Sequence, residues 1–185
     1  MNGLQAVSLI GLALAGAAPV GPEVPPLPVL LNSQFSGLER ALLPLAEEMP
    51  ADKYDYRPTQ GEFKDVRTFA EQLRHVASTN LAFSAILLGE EPPYPESQRR
   101  SGPPEIKSKA EVLALLRRSL ERSHQAIQTV NEKNMRELIK NPLTGEDMTR
   151  LGAASLMTWH SYDHYGQMVV YLRMNGIVPP ASRPH

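Results

Sequence analysis

Two histidines in the C-terminal third of the chain, His160 and His164, lie four positions apart. On an α-helix, side chains with this spacing project from the same face, one turn apart. A pair of imidazoles placed in this way can bind a divalent metal ion, as in the H-E-x-x-H motif of zinc proteases. That motif has a glutamate directly after the first histidine, whereas this chain has Ser161 there. The spacing therefore predicts a metal-binding pair and excludes this class of protease.

The segment around the pair has the features of a helix. From Leu151 to Met174 it has no proline, is rich in Leu, Met and Ala, and carries an apolar stripe that includes both histidines. We therefore predict a helix with both imidazoles directed into a core. A histidine on an apolar stripe is more often a hydrogen-bonded core residue than a ligand, so the structural alternative stays open for each of them.

A third histidine, His75, is predicted to lie on another core helix. Thr68 and Glu71 form a capping box that predicts a helix from Phe69 to about Leu88. His75 lies between the two apolar stripes of this helix and faces a neighbouring helix. Helix bundles assemble metal sites from side chains on facing helices, so His75 is a candidate third ligand, although alone it is typical of a structural histidine.

His124 is the rival candidate. A second capping box, Ser108 with Glu111, predicts a helix that runs to about Val130 and carries His124 on its apolar stripe. Leucines surround it in this stripe, and no second histidine lies one turn away. We therefore interpret it as a hydrogen-bonded core histidine.

One further helix and two long connections complete the predicted domain. Apolar residues at helical spacing predict a first helix from Val29 to about Glu48, kinked by Pro44 and ended by Pro50. A polar, turn-rich connection from Ala51 to Val66 follows, and a proline-rich connection separates the second and third helices. Four helices predict an all-α fold.

Composition limits the function. With 185 residues, of which 42% are hydrophobic, the chain fits one domain with a substantial core. Its 19 basic and 20 acidic residues give a formal charge of −1, which argues against a nucleic-acid partner. Cysteine is absent, so any metal ion must be bound by nitrogen and oxygen ligands.

The first 28 residues differ from the rest. An apolar run of small residues from Ala6 to Val20 precedes several prolines, which predicts a signal peptide or a disordered leader, with the domain at 29–185. The segment Met1–Gln5 lacks the Lys or Arg usual in a signal peptide. With a signal peptide the protein is exported or periplasmic, and otherwise it is cytoplasmic. A stable membrane span is not expected, because the apolar run is shorter than the roughly 20 residues a bilayer requires.

The order and spacing of these motifs resemble the DinB superfamily, also described as DinB/YfiT-like, from about residue 29 onward. The resemblance rests on the Tyr54-Asp55-Tyr56-Arg57-Pro58 connection, on Thr68 to Val76, and on the segment from His160 to Pro180. It implies a four-helix bundle with long crossover connections, homodimerisation, and a divalent metal ion bound by three histidines. In this chain the corresponding residues are His75, His160 and His164.

Two classes of function follow from these predictions. A site of three histidines on Zn²⁺ or Ni²⁺ leaves a coordination position open, which is typical of catalytic sites. We therefore expect a metal-dependent transferase or hydrolase for a small molecule, for which the resemblance suggests a low-molecular-weight thiol. Tyr162 and Asp163 are candidates for supporting the ligands. The alternatives are a non-catalytic metal-binding module used for stability or assembly, and a bundle whose histidines bind nothing.

Overall fold

The computed structural model describes residues 24–63 and 65–184, and most of the predicted leader lies outside these residues. Four long helices form an all-α bundle, as predicted. A short additional helix and a small hairpin lie in the connections between them. The elements are α1 (Leu27–Glu48), α2 (Phe69–Leu88), α3 (Glu96–Arg99), α4 (Lys109–Ile127), β1 (Leu138–Lys140), β2 (Asp147–Thr149) and α5 (Arg150–Met174).

Helix α2 has the bounds that its sequence predicts. The Thr68 side chain accepts a hydrogen bond from the backbone N–H of Glu71, whose carboxylate accepts one from the backbone N–H of Thr68. At the other end Gly89 adopts the left-handed conformation, with a φ of 74°, and its N–H bonds back to the last turn. Strong capping at both ends therefore fixes where α2 begins and ends.

Helix α4 starts at its predicted capping box but ends at Ile127 instead of about Val130. The Thr129 hydroxyl donates to the carbonyl of Ala126 at 2.7 Å. A threonine side chain that satisfies a nearby carbonyl replaces the next helical hydrogen bond. Helix α1 likewise begins at Leu27, two residues before its predicted start.

Helix α2 is the most enclosed of the four long helices. It packs against both α4 and α5, while α1 contacts the same two helices from its own side. Because α2 has neighbours around most of its circumference, it buries polar residues as well as apolar ones. The buried polar residues of α2 are Gln72, His75, Ser78, Thr79, Asn80 and Ser84.

The connections pack against the bundle. The Tyr54 hydroxyl donates to the carbonyl of Ala46 at 2.7 Å, and the Tyr171 hydroxyl donates to the carbonyl of Arg67 at 2.9 Å. Between α4 and α5, β1 and β2 pair antiparallel, with Leu138 opposite Thr149. The three-residue strands are too short to show an alternating pattern, so the sequence did not predict them.

Among the described residues, none of the helices is long and apolar enough to cross a membrane.

Candidate metal centre

The structure brings the three predicted histidines together. His75 on α2 faces His160 and His164 on α5, and each ring directs its Nε2 atom toward the others. The Nε2 atoms of His75 and His160 are 3.0 Å apart, and those of His160 and His164 are 3.2 Å apart. We call these three residues the histidine cluster.

Hydrogen bonds at Nδ1 orient two of the three rings. His75 donates its Nδ1–H to the backbone carbonyl of Arg100, and His164 donates its Nδ1–H to Gln72 Oε1 at 2.6 Å. Because a carbonyl oxygen only accepts, these contacts place the proton on Nδ1 and leave the Nε2 lone pair free. Ligating histidines are oriented in the same way in metal sites. The Nδ1 atom of His160 is buried and has no partner among the described residues.

The surroundings keep the imidazoles neutral. Burial lowers the pKa of His75 to about 3 and that of His164 to about 4, and it also lowers the pKa of His160. The positive charge of Arg67 lowers all three pKa values further. The cluster therefore presents neutral imidazoles with available lone pairs at neutral pH, which is the state that binds metal ions.

The geometry and chemistry of the cluster fit a divalent ion. In a tetrahedral zinc site with Zn–N bonds of 2.0–2.1 Å, the nitrogen atoms lie roughly 3.3 Å apart. The separations of 3.0 and 3.2 Å are close to this value. Three neutral imidazole nitrogens also form a donor set suited to Zn²⁺ or Ni²⁺.

The histidine cluster borders a cavity of about 270 Å³. Residues from α2, from α5, and from the segments that precede α2, follow α3 and join β1 to β2 form its walls. Thr79 Oγ1 is buried there and has no hydrogen-bond partner among the described residues. The lining residues are Arg67, His75, Thr79, Phe83, Arg100, Asn141, Leu143, Thr144, Leu156, His160 and His164.

Comparison with known families agrees with this arrangement. A family model for the DinB superfamily matches residues 34–168, a range that includes all three histidines. The chain belongs to the DinB superfamily. No curated protein matches it. The superfamily assignment and the histidine cluster together fit metal binding.

In this DinB-superfamily chain, a row of polar side chains extends from the cluster toward the surface. Gln72 Nε2 donates to Gln167 Oε1 at 2.8 Å, and Gln167 Nε2 donates to Asp163 Oδ2 at 3.0 Å. Asp163 therefore reaches His164 only through two glutamines. Tyr162, the other candidate for supporting the ligands, is 41% exposed, and its hydroxyl lies near Gly37 on α1.

The carbonyl partner of His75 belongs to a loop held closely against α2. Gly102, two residues after Arg100, has a φ of 75°. A Cβ atom at this position would lie 2.7 Å from Ser78 Oγ and 3.1 Å from the carbonyl oxygen of Arg74. Only glycine allows this approach without a shift of the loop. Close packing at Gly102 thus helps to place the Arg100 carbonyl behind His75.

His124 lies elsewhere, between α4 and α1. Its Nδ1 atom is 2.6 Å from Asn32 Oδ1, and its Nε2 atom is 2.8 Å from Glu39 Oε2. The ring also packs edge-on against Phe35. Both ring nitrogens therefore have partners, as expected of a hydrogen-bonded histidine.

Sequence reasoning found the three histidines but missed the groups that orient them. Gln72 lies one turn from His75 on the same helix, but it contacts His164 on α5, which the spacing does not indicate. Arg67 and the Arg100 carbonyl belong to connections without a periodic pattern. Their positions depend on tertiary packing, which no local motif in the sequence indicates.

Proposed function

We propose that this protein binds a divalent metal ion, Zn²⁺ or Ni²⁺, through the Nε2 atoms of His75, His160 and His164. We further propose that the site makes it a metal-dependent enzyme of the transferase or hydrolase type. The observation that carries the proposal is the convergence of three neutral Nε2 atoms beside a cavity. Three protein ligands with space next to them are typical of catalytic rather than structural zinc sites.

The chain's own residues divide the tasks of such a site. Gln72 and the Arg100 carbonyl hold two imidazoles with Nε2 directed inward. A divalent ion bound there supplies Lewis-acid chemistry, such as lowering the pKa of a water or thiol or polarising a carbonyl. Phe83 and Leu156 form an apolar wall that limits water, and Thr79 lies in the same wall with its hydroxyl buried. A low-molecular-weight thiol is the substrate class that the family resemblance suggests.

A non-catalytic role is the second candidate, and one observation favours it. The ligands come from both α2 and α5, so an ion bound by all three would connect these helices. An ion bound only by the folded state stabilises it by mass action. In this alternative, metal removal lowers stability and changes no reaction.

Metal content tests the shared part of both candidates. Untagged wild type should retain about one zinc or nickel ion per chain after purification or after incubation with these metals, as measured by mass spectrometry. The double variant His160→Ala, His164→Ala should lose it. His124→Ala is the matched control, because it removes a histidine from the same bundle outside the cluster. Absence of metal in wild type after incubation would overturn both candidates.

Turnover then separates the enzyme from the structural module. Zinc-loaded and nickel-loaded protein should be assayed for thiol transfer and for hydrolysis of small esters and amides. An activity that disappears with His160→Ala and persists with His124→Ala supports the enzyme. Unchanged background rates, together with a lower unfolding temperature after metal removal, would support the structural role instead.

Homodimerisation also belongs to the proposal. One face of α5 carries large exposed side chains at helical spacing, among them Trp159, Tyr162 and Val170. A surface with exposed aromatic and aliphatic side chains of this kind is suited to association with a second copy. Sedimentation should give a dimer for wild type and a monomer for Trp159→Glu, Val170→Glu. A monomeric wild type at micromolar concentration would refute the dimer.

Export rests on the leader alone. If residues 1–28 act as a signal peptide, the protein is exported or periplasmic, and a cytoplasmic thiol cannot be its substrate. N-terminal sequencing of the protein recovered from each cell fraction tests this. A mature chain in the cytoplasm that still begins at Met1 would contradict export.

A further inference from the structure

Arg67 is the one charged side chain that lines both the cavity at the histidine cluster and a neighbouring polar cavity of about 520 Å³. It is half-buried. Among the described residues, no carboxylate forms an ion pair with it, and its guanidinium makes no hydrogen bond. Burying part of a cation without a partner costs free energy unless a negatively charged ligand binds there.

The other arginines of the polar cavity are already engaged. Arg57 pairs with Glu71 at 3.4 Å, and Arg74 donates to the carbonyl of Pro103 at 3.0 Å and lies 4.0 Å from Glu71. The Glu71 carboxylate also caps α2 by accepting from the backbone N–H of Thr68. Arg67 is therefore the arginine of the polar cavity that remains available to a ligand, while Arg100, which lines the cavity at the cluster, is exposed.

The backbone of Arg67 is fixed on both sides. Its carbonyl accepts a hydrogen bond from the Tyr171 hydroxyl on α5, and the next residue, Thr68, is the N-cap of α2. Both α2 and α5 carry residues of the histidine cluster. The main chain of Arg67 is thus attached to the same two helices as the cluster, which limits the distance between a group bound to Arg67 and one bound at the histidines.

Electrostatics gives the same indication. The positively charged side chain of Arg67 lines the same cavity as the three imidazoles. The same charge would repel a divalent ion at the cluster unless an anion lies between them. An arrangement with an arginine beside a cation site is therefore suited to a ligand that brings its own negative charge.

We propose that Arg67 binds the carboxylate of an anionic substrate whose reactive group lies at the histidine cluster. This inference rests on the proposed metal site and specifies its substrate class. A guanidinium recognises a carboxylate with paired, charge-assisted hydrogen bonds. A phosphate dianion would also meet Asp65 and Glu71, which line the same polar cavity.

A pair of small thiols tests the proposal. Mercaptopropionate and mercaptopropanol share a thiol and a three-carbon chain, and only the first carries a carboxylate. Zinc-loaded wild type, titrated by calorimetry, should bind mercaptopropionate about tenfold or more tightly, the factor that one charge-assisted hydrogen bond of about 1.5 kcal/mol provides. Arg67→Gln should abolish this preference without a change in zinc content. Arg67→Lys, which keeps the charge but loses the paired geometry, should retain part of it.

Arg57→Gln is the matched control, because Arg57 lines the polar cavity but not the cavity at the cluster. It should keep the full preference. Equal binding of both thiols by zinc-loaded wild type would overturn the role of Arg67 and leave the metal site standing. A preference that survives in Arg67→Gln would do the same, since it would arise from chelation of zinc by the ligand's own carboxylate. Failure of wild type to take up zinc would instead overturn the proposed function itself.

Discussion

The bundle places histidines in two different environments. At the cluster, His75 and His164 use Nδ1 for a carbonyl or an amide oxygen, and all three rings direct Nε2 toward one another. Between α1 and α4, His124 uses both nitrogens, one toward Asn32 and one toward the carboxylate of Glu39. All these residues lie on largely apolar helix faces. The partners of a ring, rather than its place on a stripe, decide whether it has a lone pair to offer a metal ion.

The electrostatic surroundings differ as well. The cluster is buried near a cation, Arg67, and its pKa values are lowered, whereas His124 lies 2.8 Å from the carboxylate of Glu39. One site is arranged for neutral imidazoles, and the other is arranged for a hydrogen bond that stabilises the packing of α1 on α4.

Zinc should stabilise the protein through the cluster and not through His124. At a free zinc concentration a thousandfold above the dissociation constant, binding to the native state adds about 4 kcal/mol to the free energy of unfolding. His160→Ala should lose this gain, and His124→Ala should keep it. Urea unfolding with and without zinc measures both. An equal gain in the two variants would show that zinc stabilises the fold from another site.

Acid should destabilise the metal-free protein through the cluster. His75 has a pKa of about 3 and His164 one of about 4 when folded, against about 6.5 for an unfolded histidine. Between these values the unfolded chain binds more protons, so stability is fully present above about pH 6.5 and is lost as the pH falls toward the folded pKa values. We expect a loss on the order of a few kcal/mol between pH 7 and pH 4.

Two variants separate the cluster from other acid-sensitive groups. Urea unfolding in the presence of a chelator should give a shallower pH dependence for His75→Gln than for wild type. The difference should be about 1 kcal/mol per pH unit below pH 6, because one group no longer takes up a proton on unfolding. His124→Gln is the control, because it removes a histidine that lies outside the cluster. If His75→Gln and wild type gave parallel curves, the lowered pKa of His75 would be wrong.

The hydrogen-bond partners of the ligands should have a smaller effect, which is on zinc affinity. Gln72→Leu removes the acceptor of His164 Nδ1–H and should weaken zinc binding by about tenfold to a hundredfold, as loss of such a partner does in other metal sites. Glu39→Gln changes the partner of His124 and should leave zinc affinity unchanged. Competition with a chelator of known zinc affinity measures both. Equal affinities in wild type and Gln72→Leu would remove Gln72 from the site.

The sequence predicted what depends on local patterns. Capping boxes at Thr68 and Ser108 set the starts of α2 and α4, and spacing placed His160 and His164 on one helical face. Residues without a local pattern were not predicted. The hairpin strands are three residues long, and the Arg100 carbonyl belongs to a loop whose path depends on packing against α2. The role of Arg67 could not be predicted either, because the sequence does not indicate which arginines form ion pairs in the folded protein.

The contact between His75 and the main chain at position 100 has a consequence for mutational scanning. A carbonyl group is common to every amino acid, so exchanges of the Arg100 side chain should leave the imidazole oriented as before. The sensitive position is Gly102, where any side chain would collide with Ser78 and Arg74 and shift the loop. A mutational scan would thus find that position 100 tolerates substitution, although its main chain contacts the histidine cluster, and that position 102 does not.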